Sequence, residues 1–237
     1  KYGVVNGLNI DRKISISMFE QAKQYNQDDY IAKLKKYSEA YEITGDIVPL
    51  AFELSRLYLD RGKVRKANRV IEKSWKLNPH PDLFKLFKSI HKFDSREKFL
   101  RRIIKISESL DSSNIEVCLS KAEAFYLSKD FNSARSLLKI LIEKVPDKRA
   151  YTMMAEIEEK EKGPLASKSW HEEKERLLLP LWICDSCDFS NNFWLPFCSK
   201  CSSFDSFTWG YSKYENIKSI ELQEDSIIEE SMFDKSI

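Results

Sequence analysis

The stretch IVPLAFELSRLYLDRGKVRKANRVIEKSWKLNP, residues 47–79, decides the fold. Apolar Leu54, Leu57 and Tyr58 recur at helical spacing up to the turn DRGK, residues 60–63. Ala67, Val70, Ile71 and Ser74 then resume the same period. Gly62 suits a left-handed residue between two helices, and Pro79 stops the second one. A second stretch, NIEVCLSKAEAFYLSKDFNSARSLLKILIEKVP, residues 114–146, has the same layout. Superposed, Leu57 and Tyr58 fall on Ala124 and Phe125, Ala67 falls on Ala134, and Val70 and Ile71 fall on Leu137 and Leu138. At the same offset Pro79 falls on Pro146.

Two units of about 34 residues make up that offset, and the pattern resembles tetratricopeptide (TPR) repeats. Ala122, and more roughly Ser55, stand at the motif's small position, and Tyr58 and Phe125 at its aromatic one. Residues 81–113 have the length of a further, degenerate repeat. Upstream, residues 16–25 and 28–45 form another helix pair, with Ala32, Tyr37 and Ala40 expected to face inward. Downstream, residues 147–163 and 164–177 form the last pair, with Ala155 in the small slot. The resemblance implies an all-α, TPR-like α-α superhelical solenoid of about five helix pairs. One pair cannot bury its apolar stripe, but a stack can. By that analogy the first helices offer Phe52, Arg56, Leu59, Leu119, Glu123 and Tyr126 to a partner's peptide or helix. The alternative is that these side chains only pack neighbouring helices.

Composition is that of a soluble globular chain. Of 237 residues, 42% are hydrophobic and 32% charged, and six glycines and seven prolines favour long helices over many strands. A net charge of +2 gives no general pull toward nucleic acid or membrane. No apolar run reaches the length of a membrane span.

Four of the five cysteines fall in WICDSCDFSNNFWLPFCSKC, residues 182–201, as two C-x-x-C pairs. Each pair points two thiolates to one side of a tight loop, and two facing pairs enclose a tetrahedral d10 ion with no open position. Cys184, Cys187, Cys198 and Cys201 are therefore expected to hold a structural zinc in a small zinc ribbon with rubredoxin-like knuckles. Iron uses the same ligands, and a reactive dithiol pair is the other alternative. The spacing also points to a reducing compartment. About 30 residues cannot build an adequate core unaided, so the ion and the dense aromatics must supply it. Asp188 and Ser202 occupy positions that favour glycine. Trp182 and Asn191 also give a resemblance to zinc fingers of the Ran-binding-protein type, which bind single-stranded RNA or ubiquitin. Asp185, Asp188 and Asp205 against a single Lys200 argue against RNA.

The C-terminal third carries a further resemblance. Pro180, Trp182, Cys184, Cys187, Trp194, Pro196, Cys198, Cys201, Phe204, Asp205 and Trp209 match the ending of bacterial HemY-type TPR proteins. That resemblance implies a role linked to haem synthesis, with haem-pathway proteins as partners. It also implies a place on the cytoplasmic face of the bacterial inner membrane, through an anchor upstream of this chain. A LapB-type adaptor, which regulates envelope lipid synthesis, is similar in architecture; the F-D-x-x-x-W ending favours the HemY type.

No catalytic constellation appears. His80, His91 and His171 lie apart from any triad pattern and read as surface or junction residues. His80, beside Pro81, is the one candidate haem ligand, and with it a haem-carrier function is the alternative to a scaffold. Cys118 reads as a small buried residue. The basic run Arg96, Lys98, Arg101, Arg102 and Lys105 reads as a solvated face, or as a contact for anionic lipid. The expected division is a helical-repeat domain over 1–176, a ribbon over 177–211 and a flexible acidic tail over 212–237. No nucleic-acid partner is expected.

Overall fold

A computed structural model describes residues 7–26, 29–175, 177 and 179–211. The acidic tail, 212–237, lies outside the described residues. Two compact units divide the chain, Lys1–Ala134 and Arg135–Ile237. The first holds α1 (Gly7–Lys23), α2 (Tyr30–Ile43), α3 (Val48–Asp60), α4 (Val64–Leu77), α5 (Pro81–Ile90), α6 (Arg96–Ile106) and α7 (Ile115–Leu127). Helix α8 (Phe131–Lys144) crosses the division. The second unit continues with α9 (Lys148–Lys162), α10 (Pro164–Lys174) and the strands β1 (Leu181–Cys184), β2 (Ser190–Asn191) and β3 (Phe207–Gly210).

The described residues thus form five helix pairs of TPR-like type, followed by a small antiparallel sheet. In the first unit α1 packs on α2, α2 on α3, α3 on α4, α4 on α5 and α6 on α7. Fully buried Ala40, Ala51, Ala67 and Ala122 bring backbones close, while Phe19, Tyr37, Trp75 and Phe87 fill the space beside them. Rings link successive helices: Trp75 of α4 lies 5.8 Å from Phe84 of α5, and Phe87 lies 6.0 Å from Phe99 of α6. Each such side chain contributes roughly 1.5–3 kcal/mol by burial, so the degenerate pair α5–α6 is held by aromatics where it lacks the motif. Ala32, expected to face inward, is exposed, as is its neighbour Ile31; both sit in the first turn of α2.

The internal repeat is in register at every helix end. The offset that sets Pro79 on Pro146 also carries α3 onto α7 and α4 onto α8, first residue to first and last to last. The turns share their two closing bonds. Gly62 N–H donates to Leu59 O (2.9 Å) and Lys63 N–H to Tyr58 O (2.8 Å); at the equivalent positions Lys129 donates to Tyr126 O (3.0 Å) and Asp130 to Phe125 O (3.0 Å). These are the paired bonds that close a helix C-terminus around a left-handed residue. Gly62 has φ +67° and Lys129 has φ +66°. Nothing crowds a Cβ at Gly62, so backbone conformation alone selects glycine there. Lys129→Gly should therefore raise stability by about 1 kcal/mol and Gly62→Ala lower it by about as much, read from denaturant midpoints.

Helix starts repeat as well. His80 caps α5, its Nδ1 accepting from Asp82 N–H at 3.2 Å, and Asp147 caps α9, its Oδ1 accepting from Arg149 N–H at 2.7 Å. The two caps are related by the same offset and are both buried, 1% and 0% exposed.

A charge network joins α4, the α5–α6 turn and α6. His91 Nε2 lies 2.9 Å from Asn68 Oδ1 and its Nδ1 3.1 Å from Asp94 Oδ2; Lys98 and Arg102 each reach Asp94 at 2.7 Å. Lys98, and then Arg102, hold the Asp94 carboxyl down to about 2 against the opposing effect of burial. The folded value lies below the unfolded one of about 3.9, so this contribution is complete above that pH and is lost as pH falls through about 2. Asp94→Asn should flatten the decline of stability in that window, as measured by urea midpoints against pH.

Candidate functional site

Strand order in the sheet is β2-β1-β3, with β1 antiparallel to both neighbours. This pairing sets Trp182 opposite Trp209 and Asn191, and Cys184 opposite Phe207. The Trp182 and Trp209 rings meet edge-on at 5.5 Å. Two matching turns carry the cysteines. Asp188 N–H donates to Cys184 O (2.9 Å) in the first, and Ser202 N–H donates to Cys198 O (2.8 Å) in the second. Asp188 (φ +55°) and Ser202 (φ +59°) take the left-handed conformation expected of them. The hairpin tip closes through a bridge between Phe197 and Phe204, whose rings lie 4.8 Å apart.

The four Sγ atoms lie within 4.8 Å of one another. Cys184–Cys201 and Cys187–Cys198 are each 3.6 Å apart, too far for disulfides. A tetrahedron with Zn–S bonds of about 2.3 Å has edges of about 3.8 Å, so the donor set fits such an ion. Cys184 and Cys198 are buried, Cys187 is half-buried and Cys201 is exposed.

The thiols are unequal. Burial pushes Cys184 up, but hydrogen bonds from the Ser206 hydroxyl, the Ser186 N–H and the neighbouring thiols outweigh it and bring the group down to about 6. At Cys187 the Phe189 N–H favours the thiolate, yet burial and the three nearby sulfurs push it up to about 12. The Ser203 hydroxyl and N–H lower Cys201. Cys184 and Cys201 are favoured as thiolates while Cys187 is resisted, a conflict that a divalent cation among the sulfurs would relieve. Ser203 and Ser206, absent from the sequence reading, are placed by the run SSFDS directly after the last cysteine.

The ribbon is tied to the last helix pair inside the second unit. The Tyr211 hydroxyl, just past β3, donates to Asp147 Oδ2, the cap of α9. Arg149 clamps the same carboxylate, with Nε 3.1 Å from both oxygens and Nη2 2.7 Å from Oδ2. Burial first, then the Asp147 charge, raise the Tyr211 pKa, which keeps the phenol a donor. Nothing in the sequence singles out Tyr211.

Of the residues expected to meet a partner, Phe52 and Leu59 on α3 are half-buried and Arg56 between them is exposed. Arg56 lies 3.4 Å from Glu53 and 5.8 Å from the Phe52 ring. Leu119 is buried. Glu123 is half-buried and pairs with Lys88 of α5 at 2.7 Å, and the Tyr126 ring lies 5.8 Å from Phe131. His80, read as a surface or junction residue and a haem candidate, is a buried helix cap; its ring is 1% exposed and offers no face to a macrocycle. His91 is mostly enclosed by its network and His171 is half-exposed. Cys118 is buried as expected, and its thiol donates to Ser112 O at 2.9 Å.

Repeated helical hairpins and a four-thiol β ribbon together define a TPR-like helical-repeat protein whose C-terminal cysteine cluster is consistent with a zinc ribbon. No family model matches the chain. It is similar to the probable magnetosome protein Mms48 of Magnetospirillum gryphiswaldense, 23% identical over 198 residues. The match covers 82% of this chain and 44% of that protein, so the chain spans less than half the length of the curated relative. Among solved structures, a crystal structure of MamA has TM-score 0.42 at 13% identity, covering 63% of this chain and 88% of that one. A MamA RS-1 double mutant has TM-score 0.44 at 10% identity, covering 72% and 94%.

The HemY-type and LapB-type resemblances are corrected by these findings, and with them the haem-synthesis role, the haem-pathway partners and the cytoplasmic face of the inner membrane. The residues behind the resemblance have local duties. Asp205 (φ +49°) turns the chain and donates its N–H to Pro196 O, Phe204 bridges Phe197, and Trp209 packs on Trp182. In this chain these residues turn and pack the ribbon. No helix among the described residues is long and apolar enough to cross a membrane.

Proposed function

We propose that this chain is a non-catalytic protein-interaction scaffold, with a helical-repeat domain over residues 1–176 and a zinc ribbon over 177–211. The observation that carries the reading is the repeat itself: hairpins α3–α4 and α7–α8 recur in register at both ends of each helix. Such stacks present the first helix of each pair to peptides or partner helices. On α3, Phe52, Arg56 and Leu59 supply an apolar–cationic–apolar strip, and Glu123 and Tyr126 continue it on α7. Cys184, Cys187, Cys198 and Cys201 hold a structural zinc, which replaces the core that so short a segment lacks. Similarity to a probable magnetosome protein supports partners among proteins of that organelle.

Photo-crosslinking from position 52 in the native host tests the groove. A discrete protein adduct that disappears in Arg56→Glu/Leu59→Asp supports it. Crosslinking that is absent, or indifferent to that double substitution, contradicts it.

A further inference from the structure

We propose that the outer face of α4 and α6 docks on an anionic phospholipid bilayer. The near-neutral total charge hides a local excess. Between Arg61 and Lys105 the sequence carries fifteen Lys and Arg against four Asp and Glu, in a chain of net charge +2. Helical geometry gathers the excess on one side. On α4, Arg65, Lys66, Arg69, Lys73 and Lys76 fall within about a third of a turn and are exposed, with half-buried Glu72 at their border. On α6, Arg101 and Lys105 are exposed likewise, with Lys98 beside them and Glu97 interspersed. Arg65, Arg69, Lys73, Lys76, Arg101 and Lys105 have no ion pair among the described residues.

Two further observations select a bilayer. First, α4 and α6 touch and are stitched by the Asn68–His91–Asp94–Arg102 chain, so the two basic strips form one surface of the first unit. Second, that surface carries exposed apolar side chains. Phe93, at the tip of the α5–α6 turn, is 89% exposed beneath Lys92, Leu77 ends α4 at 55%, and Ile104 lies beside Arg101 and Lys105. Cations that neutralise headgroups, with a few apolar side chains to enter the acyl boundary, are what an interfacial surface requires. A nucleic-acid strand would instead need a row of stacking aromatics, and Phe93 is the single exposed ring on this face among the described residues. The inference rests on the first unit alone and is independent of the ribbon and of the groove.

The test is co-sedimentation of the full chain with phosphatidylglycerol-rich and pure phosphatidylcholine vesicles, at low and high salt. The expected result is binding to the anionic vesicles only, weakened by salt. It should fall about tenfold or more in Arg65→Glu/Arg69→Glu/Lys73→Glu. Phe93→Ser should weaken it less, and Lys139→Glu/Lys144→Glu/Lys168→Glu, which changes net charge equally at exposed sites elsewhere, should leave it intact. Circular dichroism confirms that each variant is folded. Three outcomes overturn the proposal: no binding to anionic vesicles, equal loss in both triple variants, or tighter binding to single- or double-stranded nucleic acid that the first triple variant abolishes.

Discussion

Cys198→Ser should abolish zinc binding and unfold residues 181–211 while the helical signal of α1–α7 persists. Cys198 is buried and its sulfur sits 3.6 Å from that of Cys187, so the substitution removes one of four donors from the centre of the ribbon. A structural zinc contributes about 10–16 kcal/mol to folding a module of this kind. Three remaining sulfurs cannot close the tetrahedron, and the strands β1, β2 and β3 are only four, two and four residues long. Loss of most of that free energy exceeds what so small a sheet can replace. The readouts are loss of the near-ultraviolet signal of buried Trp182 and Trp194, and proteolytic cleavage confined to the ribbon. Affinity should also fall steeply at acid pH, because protons compete for the same thiolates. A folded, protease-resistant ribbon in the serine variant would refute the expectation.

Asp147→Ala should cost about 3–5 kcal/mol, the largest effect expected of a single substitution outside the cysteines. Asp147 is fully buried, caps α9, clamps Arg149 and accepts the Tyr211 hydroxyl. Removing it deletes a helix cap and takes the carboxylate away from the Arg149 guanidinium and the Tyr211 phenol. Asp147→Asn keeps the cap acceptor but loses the charge, and should cost less. Tyr211→Phe isolates the link to the ribbon and should cost about 1–3 kcal/mol. Combining Tyr211→Phe with Asp147→Ala should give less than the sum of the two, because both break the same contact. Equilibrium unfolding of the four variants measures this directly.

Much of the fold was legible because helical repeats write themselves in period and offset. Ala67 and Ala134, Tyr58 and Phe125, and the two prolines located the hairpins, and the ends of α3, α4, α7 and α8 follow the offset those residues define. Lys129 was invisible because the turn needs a left-handed residue, which glycine announces and lysine does not. His80 misled for a related reason. Histidine beside proline suggests a ligand, but its Nδ1 serves as the cap acceptor that Asp147 provides one offset later. The cysteine pairs pointed to the thiol cluster, since C-x-x-C spacing fixes two sulfurs on one side of a turn. The supporting hydroxyls of Ser203 and Ser206 and the Tyr211–Asp147 contact depend on how the ribbon folds back, which spacing does not encode. The aromatic and acidic residues of the C-terminal motif resemble a HemY-type ending, but the similarity found is to a magnetosome protein, and in this chain the same residues turn and pack the ribbon.

Metal content of the natively purified chain, with thiol titration of the same sample, tests the central claim most directly. The account predicts one zinc per chain, four thiols protected until the ion is chelated, and no zinc in Cys198→Ser. A chain that carries no metal, with its ribbon cysteines joined as two disulfides, would contradict it.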